Sequence, residues 1–139
     1  PDQYTPNPGD YGDQYFLQGQ ASLAAGDIPS AIRFLRQARD ENLNSARNMA
    51  WLGWAFYQDK DRPKKERRTQ ALELLELADQ FDSEFIDGQF FLARVEADSG
   101  LFDRAAARLR RVLRERKEHL GARRLYEQVQ AQLAQAEEA

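Results

Sequence analysis

The 139-residue sequence has no cysteine and a single histidine, and these two shortages remove most ways of building a reaction centre. Without thiols there is no disulfide framework, no thiolate zinc site and no cysteine nucleophile. With His119 alone, neither a cysteine–histidine triad nor a histidine-rich metal site can be assembled. His119 follows the charged run Arg114–Glu118 and reads as a solvated or dipole-stabilised residue at the end of a helix. No GxGxxG or Walker-type loop is present to cradle phosphates. Nothing approaches the roughly 18 consecutive apolar residues of a membrane span, and no secretory signal pattern occurs. The chain opens on Pro1 rather than Met, which suggests a piece of a longer protein. A cytoplasmic location is expected, with the periplasm left open because the lack of cysteine fits either. Asp79, Asp82, Glu84 and Asp87 lie close together but lack the alternating ligands and central glycine of a calcium loop. Asp82 or Ser83 is expected instead to cap the helix that follows. The chain is therefore read as non-enzymatic, with no cofactor and no metal.

What is present is a single domain's worth of chain, 42% hydrophobic and 31% charged, the composition of a soluble globular protein with highly charged outer faces. The net charge of −3 is small but unevenly spread. Residues 1–32 carry Asp2, Asp10, Asp13 and Asp27 and no basic residue. Residues 73–103 hold nine acids against Arg94 alone, whereas 104–124 hold nine Lys or Arg against Glu115 and Glu118.

The organising feature is a repeat. Gly-Asp-Ile-Pro-Ser-Ala at 26–31 returns as Gly-Leu-Phe-Asp-Arg-Ala at 100–105, each copy set between two apolar helical stretches. Residues 1–11, with Pro1, Pro6, Pro8 and Gly9, are expected to be a coil lead-in. From Tyr15, the residues Tyr15, Gly19, Ser22 and Leu23 follow helical spacing. Gly26 ends that helix, Asp27 can accept from free N–H groups of the next, and Pro29 sits where its missing donor does no harm. Met49, Leu52, Gly53 and Phe56 stand 34 residues after Tyr15, Gln18, Gly19 and Ser22. The second helices carry Ala31, Leu35 and Ala38, then Ala71, Leu75 and Ala78, which implies six inserted residues; the charged stretch Asp59–Arg68 is expected to be a solvated loop.

This period and frame resemble the tetratricopeptide repeat (TPR). Counting units from Gly12, Ala46, Ile86 and Leu120, the small residue of the eighth place is Gly19, Gly53 and Ala93. The twentieth place is Ala31, Ala71 and Ala105, and the twenty-seventh is Ala38 and Ala78. Ser22 and Glu96 replace a usual large aromatic, Val112 replaces a usual Ala, and no Pro closes a unit. The resemblance implies an all-α, right-handed α-α superhelix of three helix-turn-helix units plus a capping helix. The units are about 12–45, 46–85 with an inserted loop 59–68, and 86–119, with the cap over 120–138.

The resemblance also implies where a partner is held, namely the concave wall made by each unit's first helix. Carried over by place, the candidate groove residues are Phe16, Gln20, Arg47, Ala50, Trp54, Tyr57, Phe90, Arg94 and Arg124, with Asp13, Leu23, Asp87, Ala97, Asp98 and Gln128 beside them. Trp54 and Tyr57 read as spare to the internal packing, and aromatics and arginines of that kind make binding hot spots. TPR domains that clamp a terminal carboxylate use Lys and Asn where this chain has Phe16 and Gln20, so that clamp is not expected. The expected function is a non-catalytic interaction module, a scaffold or adaptor part of a larger bacterial, signalling-type protein. It would hold a helical or extended protein segment with apolar anchors and some acidic residues. Two alternatives are self-association and polyanion binding by the basic face 104–124. Nucleic acid is not the expected partner, because no aromatics interleave the arginines.

Overall fold

The computed structural model describes residues 8–138, with side chains from Asp13 onward. Among them are seven helices: α1 (Pro8–Ala24), α2 (Ile28–Glu41), α3 (Ala46–Gln58), α4 (Lys64–Phe81), α5 (Ile86–Asp98), α6 (Phe102–Glu115) and α7 (Leu120–Glu138). Helices α1, α3, α5 and α7 follow one another in one layer, and α2, α4 and α6 form a second layer behind them. No helix of the described residues is long and apolar enough to cross a membrane.

The recurrent turn has a backbone cause. Gly26 and Gly100 both take φ of +80°, the left-handed region that glycine enters without steric penalty. At the first, the Gly26 N–H donates to the Leu23 carbonyl and the Asp27 N–H to that of Ser22, closing α1. The Asp27 side chain then accepts the Ser30 N–H at 3.2 Å and starts α2. Two helices so joined must lie close, and the small residues allow it. A Cβ on Gly19 would come within 2.5 Å of Leu35 Cγ, and Leu35 is wholly buried. Gly19→Val is therefore expected to lower stability by about 1–3 kcal/mol through overpacking, read as a lower urea midpoint; an unchanged midpoint would contradict the close approach of α1 and α2.

The frame residues of the second helices form repeated core layers. Ala31, Leu35, Ala38, Ala71, Leu75, Ala78, Ala105, Leu109 and Val112 are all buried. Glu96, in the place of a usual aromatic, is buried too, and its carboxylate accepts from Arg108 Nε at 2.8 Å. Arg108 also donates to Gln89 at 3.0 Å and lies 3.5 Å from Asp79. Burial raises the Glu96 carboxyl above its ordinary value, opposed by the Arg108 hydrogen bond and charge. The folded state thus holds this proton more tightly than the unfolded chain. The resulting stabilisation is complete below the ordinary glutamate value and is lost as pH rises through the raised folded value. Wild type should therefore lose stability relative to Glu96→Gln from acid toward neutral pH, measurable by denaturation across that range; parallel pH profiles would contradict it.

The structure differs from the sequence reading at several places. The helix α1 begins at Pro8, inside the stretch 1–11 read as coil, because proline is tolerated in a helix's first turn. Residues 1–7, and the Tyr11 side chain, lie outside the described residues. The stretch 59–68 is non-helical only from Asp59 to Pro63. Lys64 to Arg68 extend α4, since Pro63 supplies a suitable start and Lys, Glu and Arg are good helix formers. Neither Asp82 nor Ser83 caps α5: Asp82 ends α4, and the N-cap of α5 is Phe85, whose ring packs over Gly88. His119 does not end a helix. Its Nδ1 accepts the Ala122 N–H at 3.0 Å, capping α7, and its ring lies 4.7 Å from that of Phe90.

Candidate partner groove

The wall of the first layer is built around aromatic rings that cross from helix to helix. Phe16 of α1 meets Trp51 of α3 edge-on, with centroids 5.7 Å apart, and Trp51 meets Phe91 of α5 edge-on at 5.0 Å. Trp54 lies one turn further along α3 and stacks flat on Phe91, with centroids 4.6 Å apart and planes 6° from parallel. Tyr57 continues the row, 5.9 Å from Trp54, and its hydroxyl donates to Asp98 at 2.5 Å. Burial and the Asp98 hydrogen bond hold the Tyr57 phenol well above its ordinary ionisation range, so it stays a neutral donor. Trp54 and Tyr57 are each partly exposed.

These contacts revise the roles expected of several residues. Trp54 and Tyr57 are not spare to the packing, because each is tied to α5. They keep one side in solvent and the other fixed, as a preorganised anchor requires. Ala50 has no exposed surface and Phe16 is only 7% exposed, so both lie beneath the wall rather than on it. Phe16 is also covered by Arg47, whose guanidinium sits 4.0 Å above the ring. Arg47 donates to Asp13 at 2.6 Å and to Asn48 at 3.1 Å, so its charge is already engaged. Gln20, Phe90 and Arg94 are half-buried, and Arg124 is exposed. Neither Arg94 nor Arg124 has a carboxylate partner among the described residues.

Two features were missed from sequence. One is Phe91, the hub of the aromatic row; the Phe90–Phe91 pair is visible in the sequence, but which ring would turn inward is not. The other is the apolar part of a cleft of about 370 Å³ between α5 and α7, whose Arg94, Ala97, Asp98 and Gln128 are among the expected groove residues. Ala97, Phe102, Leu125 and Val129 give it an apolar lining, and Arg94, Asp98 and Gln128 stand among its polar residues. An apolar cleft beside an unpaired arginine can take an apolar side chain together with a neighbouring carboxylate. Basic side chains of the outer layer are partly consumed internally: Arg108 by Glu96 and Gln89, and Arg111 by the Ser83 carbonyl at 3.1 Å.

Comparison with solved structures finds the same architecture. The chain is similar to the Sgt2 TPR domain from Aspergillus fumigatus, with a TM-score of 0.79 and 17% identity over 100% of this chain and 88% of that one. It is similar to the first TPR of Spaghetti (RPAP3) bound to the HSP90 peptide SRMEEVD, with a TM-score of 0.78, 13% identity and coverage of 91% and 98%. The second TPR domain of human RPAP3, in complex with the HSP70 peptide SGPTIEEVD, gives a TM-score of 0.70 at 13% identity, covering 89% and 98%. No family model matches the sequence, and no curated protein matches it.

Proposed function

We propose that this chain, which has the fold of TPR domains, is a non-catalytic interaction module that holds a helical or extended segment of a partner protein in its concave groove. It does so as a scaffold or adaptor part of a larger, bacterial protein. The observation that carries the reading is the partly exposed pair Trp54 and Tyr57, fixed from behind by Phe91 and Asp98. Rigid aromatics backed by packed neighbours lose little entropy on binding and make effective anchors. Arg94 and Arg124, without carboxylate partners among the described residues, add a demand for acidic residues on the partner.

The peptides bound to two of the similar structures combine two glutamates, an aspartate and a valine in their EEVD ends. That chemistry suits this wall in kind. The mode of holding differs, since a carboxylate clamp needs Lys and Asn where this chain has the buried Phe16 and the half-buried Gln20. Apolar anchors in the α5–α7 cleft and against Trp54 carry the recognition instead, with acids on Arg94 and Arg124. The polyanion reading is the weaker one, because Arg108 and Arg111 are engaged within the stack.

The test is affinity capture with the chain beside a Trp54→Ala, Tyr57→Ala control, followed by titration of the recovered partner segment. Loss of the partner from the control supports the groove. A partner that binds control and wild type equally, or one removed only by charge reversal on α6, overturns it.

A further inference from the structure

The outer layer carries two surfaces that the stack itself leaves unused. On α4, Glu73, Glu76, Leu77 and Phe81 recur at spacings of three and four, and all four are exposed while Ala71, Leu75 and Ala78 are buried. Phe81 is 49% exposed and Leu77 40%. On α6, Arg110, Leu113 and Arg114, with Lys117 just past the helix end and Tyr126 of α7, line a cleft of about 410 Å³. Leu113 and Tyr126 supply its apolar part, three cations surround them, and no carboxylate lines it. Among the described residues, none of these three cations is in an ion pair, and neither is Glu73 or Glu76.

We propose that the α4 stripe and the α6 cleft are the two halves of one self-complementary interface, and that the occupant of the cleft is Phe81 of a second copy of this chain. The helices α4 and α6 hold equivalent places in successive pairs, as Ala71, Leu75 and Ala78 against Ala105, Leu109 and Val112 show. A two-fold axis running along the helices between them lays α4 of each copy on α6 of the other. Acidic then meets basic twice, and the contact closes on itself. By the 34-residue period, Phe81 corresponds to Glu115, at the end of α6 where the cleft lies. Pairing α4 with α4, or α6 with α6, would set like charges together, which selects this arrangement over those. The concave wall takes no part, so the proposal stands apart from the groove reading and leaves each copy's groove open.

The test is sedimentation across the micromolar to millimolar range, with variants that reverse one half at a time. Wild type should form a dimer that weakens with added salt, and Phe81→Ser should raise its dissociation constant ten-fold or more. Glu73→Lys with Glu76→Lys, and separately Arg110→Glu with Arg114→Glu, should each give monomers. Mixed one to one, these two variants should form a heterodimer, which also shows that both are folded. A wild type that stays monomeric, a dimer indifferent to Phe81→Ser, or a mixture that stays monomeric would overturn the proposal.

Discussion

Replacing Trp54 by alanine is expected to weaken binding of a groove-held partner segment by about 2 kcal/mol or more, roughly thirty-fold in Kd. The indole is partly exposed, and its stacking on Phe91 at 4.6 Å means that no ring has to be ordered when a partner arrives. The same stacking means that Trp54→Ala also costs stability, so binding must be read well below the variant's unfolding temperature. Tyr57→Phe provides the companion measurement. It keeps the ring and deletes the hydroxyl bonded to Asp98, so it frees a carboxylate beside Arg94 and the α5–α7 cleft. Its effect on binding should be clearly smaller than that of Trp54→Ala. Equal binding by wild type and Trp54→Ala, checked by isothermal titration, would remove the anchor from the account.

The largest loss of stability is expected from Leu75→Ala, about 2–5 kcal/mol. Leu75 is 1% exposed and belongs to the cluster in which Met49, Ala50, Phe91 and Leu92 bring α3, α4 and α5 together. A cavity there opens the middle of the stack, where each helix pair relies on both neighbours. Against an ordinary domain stability of about 5–15 kcal/mol, that loss should bring the urea midpoint down steeply. Leu43→Ala, at a position 66% exposed, should stay within about 0.5 kcal/mol of wild type. Similar midpoints for the two variants would contradict the placement of the core.

Much of this architecture was legible in the chain because it repeats. Apolar and small residues at matched places in three helix pairs reinforce one another, so Ala31, Leu35 and Ala38 identify Ala71, Leu75 and Ala78 once an insertion is allowed. All of these are buried. What resisted reading depends on partners distant in sequence or on competing local choices. Trp54 looked spare because Phe91, the ring that receives it, lies on another helix and carries no mark of facing inward. Phe16 and Arg47 looked like wall residues, yet Arg47 folds over Phe16 and reaches Asp13, closing that part of the wall with its own side chains. The expected cap of α5 failed for a different reason, whereas Asp27 caps α2 as expected. Asp82 and Ser83 have the right chemistry for an N-cap, but the Asp82 carboxylate accepts the Glu84 N–H at 3.0 Å in the preceding turn, and α5 starts after Phe85, whose ring lies beside Gly88. The charged run 64–68 reads as loop by polarity, but its residues are also good helix formers, and with Pro63 before them they extend α4.

The claim that a partner segment lies in the concave groove is tested most directly by mapping its backbone amide shifts on the nitrogen-15-labelled chain during titration. The account predicts perturbations concentrated at Gln20, Trp54, Tyr57, Phe90 and Arg94 and along the α5–α7 cleft. Perturbations confined to α2, α4 and α6, with these residues unmoved at saturation, would contradict it.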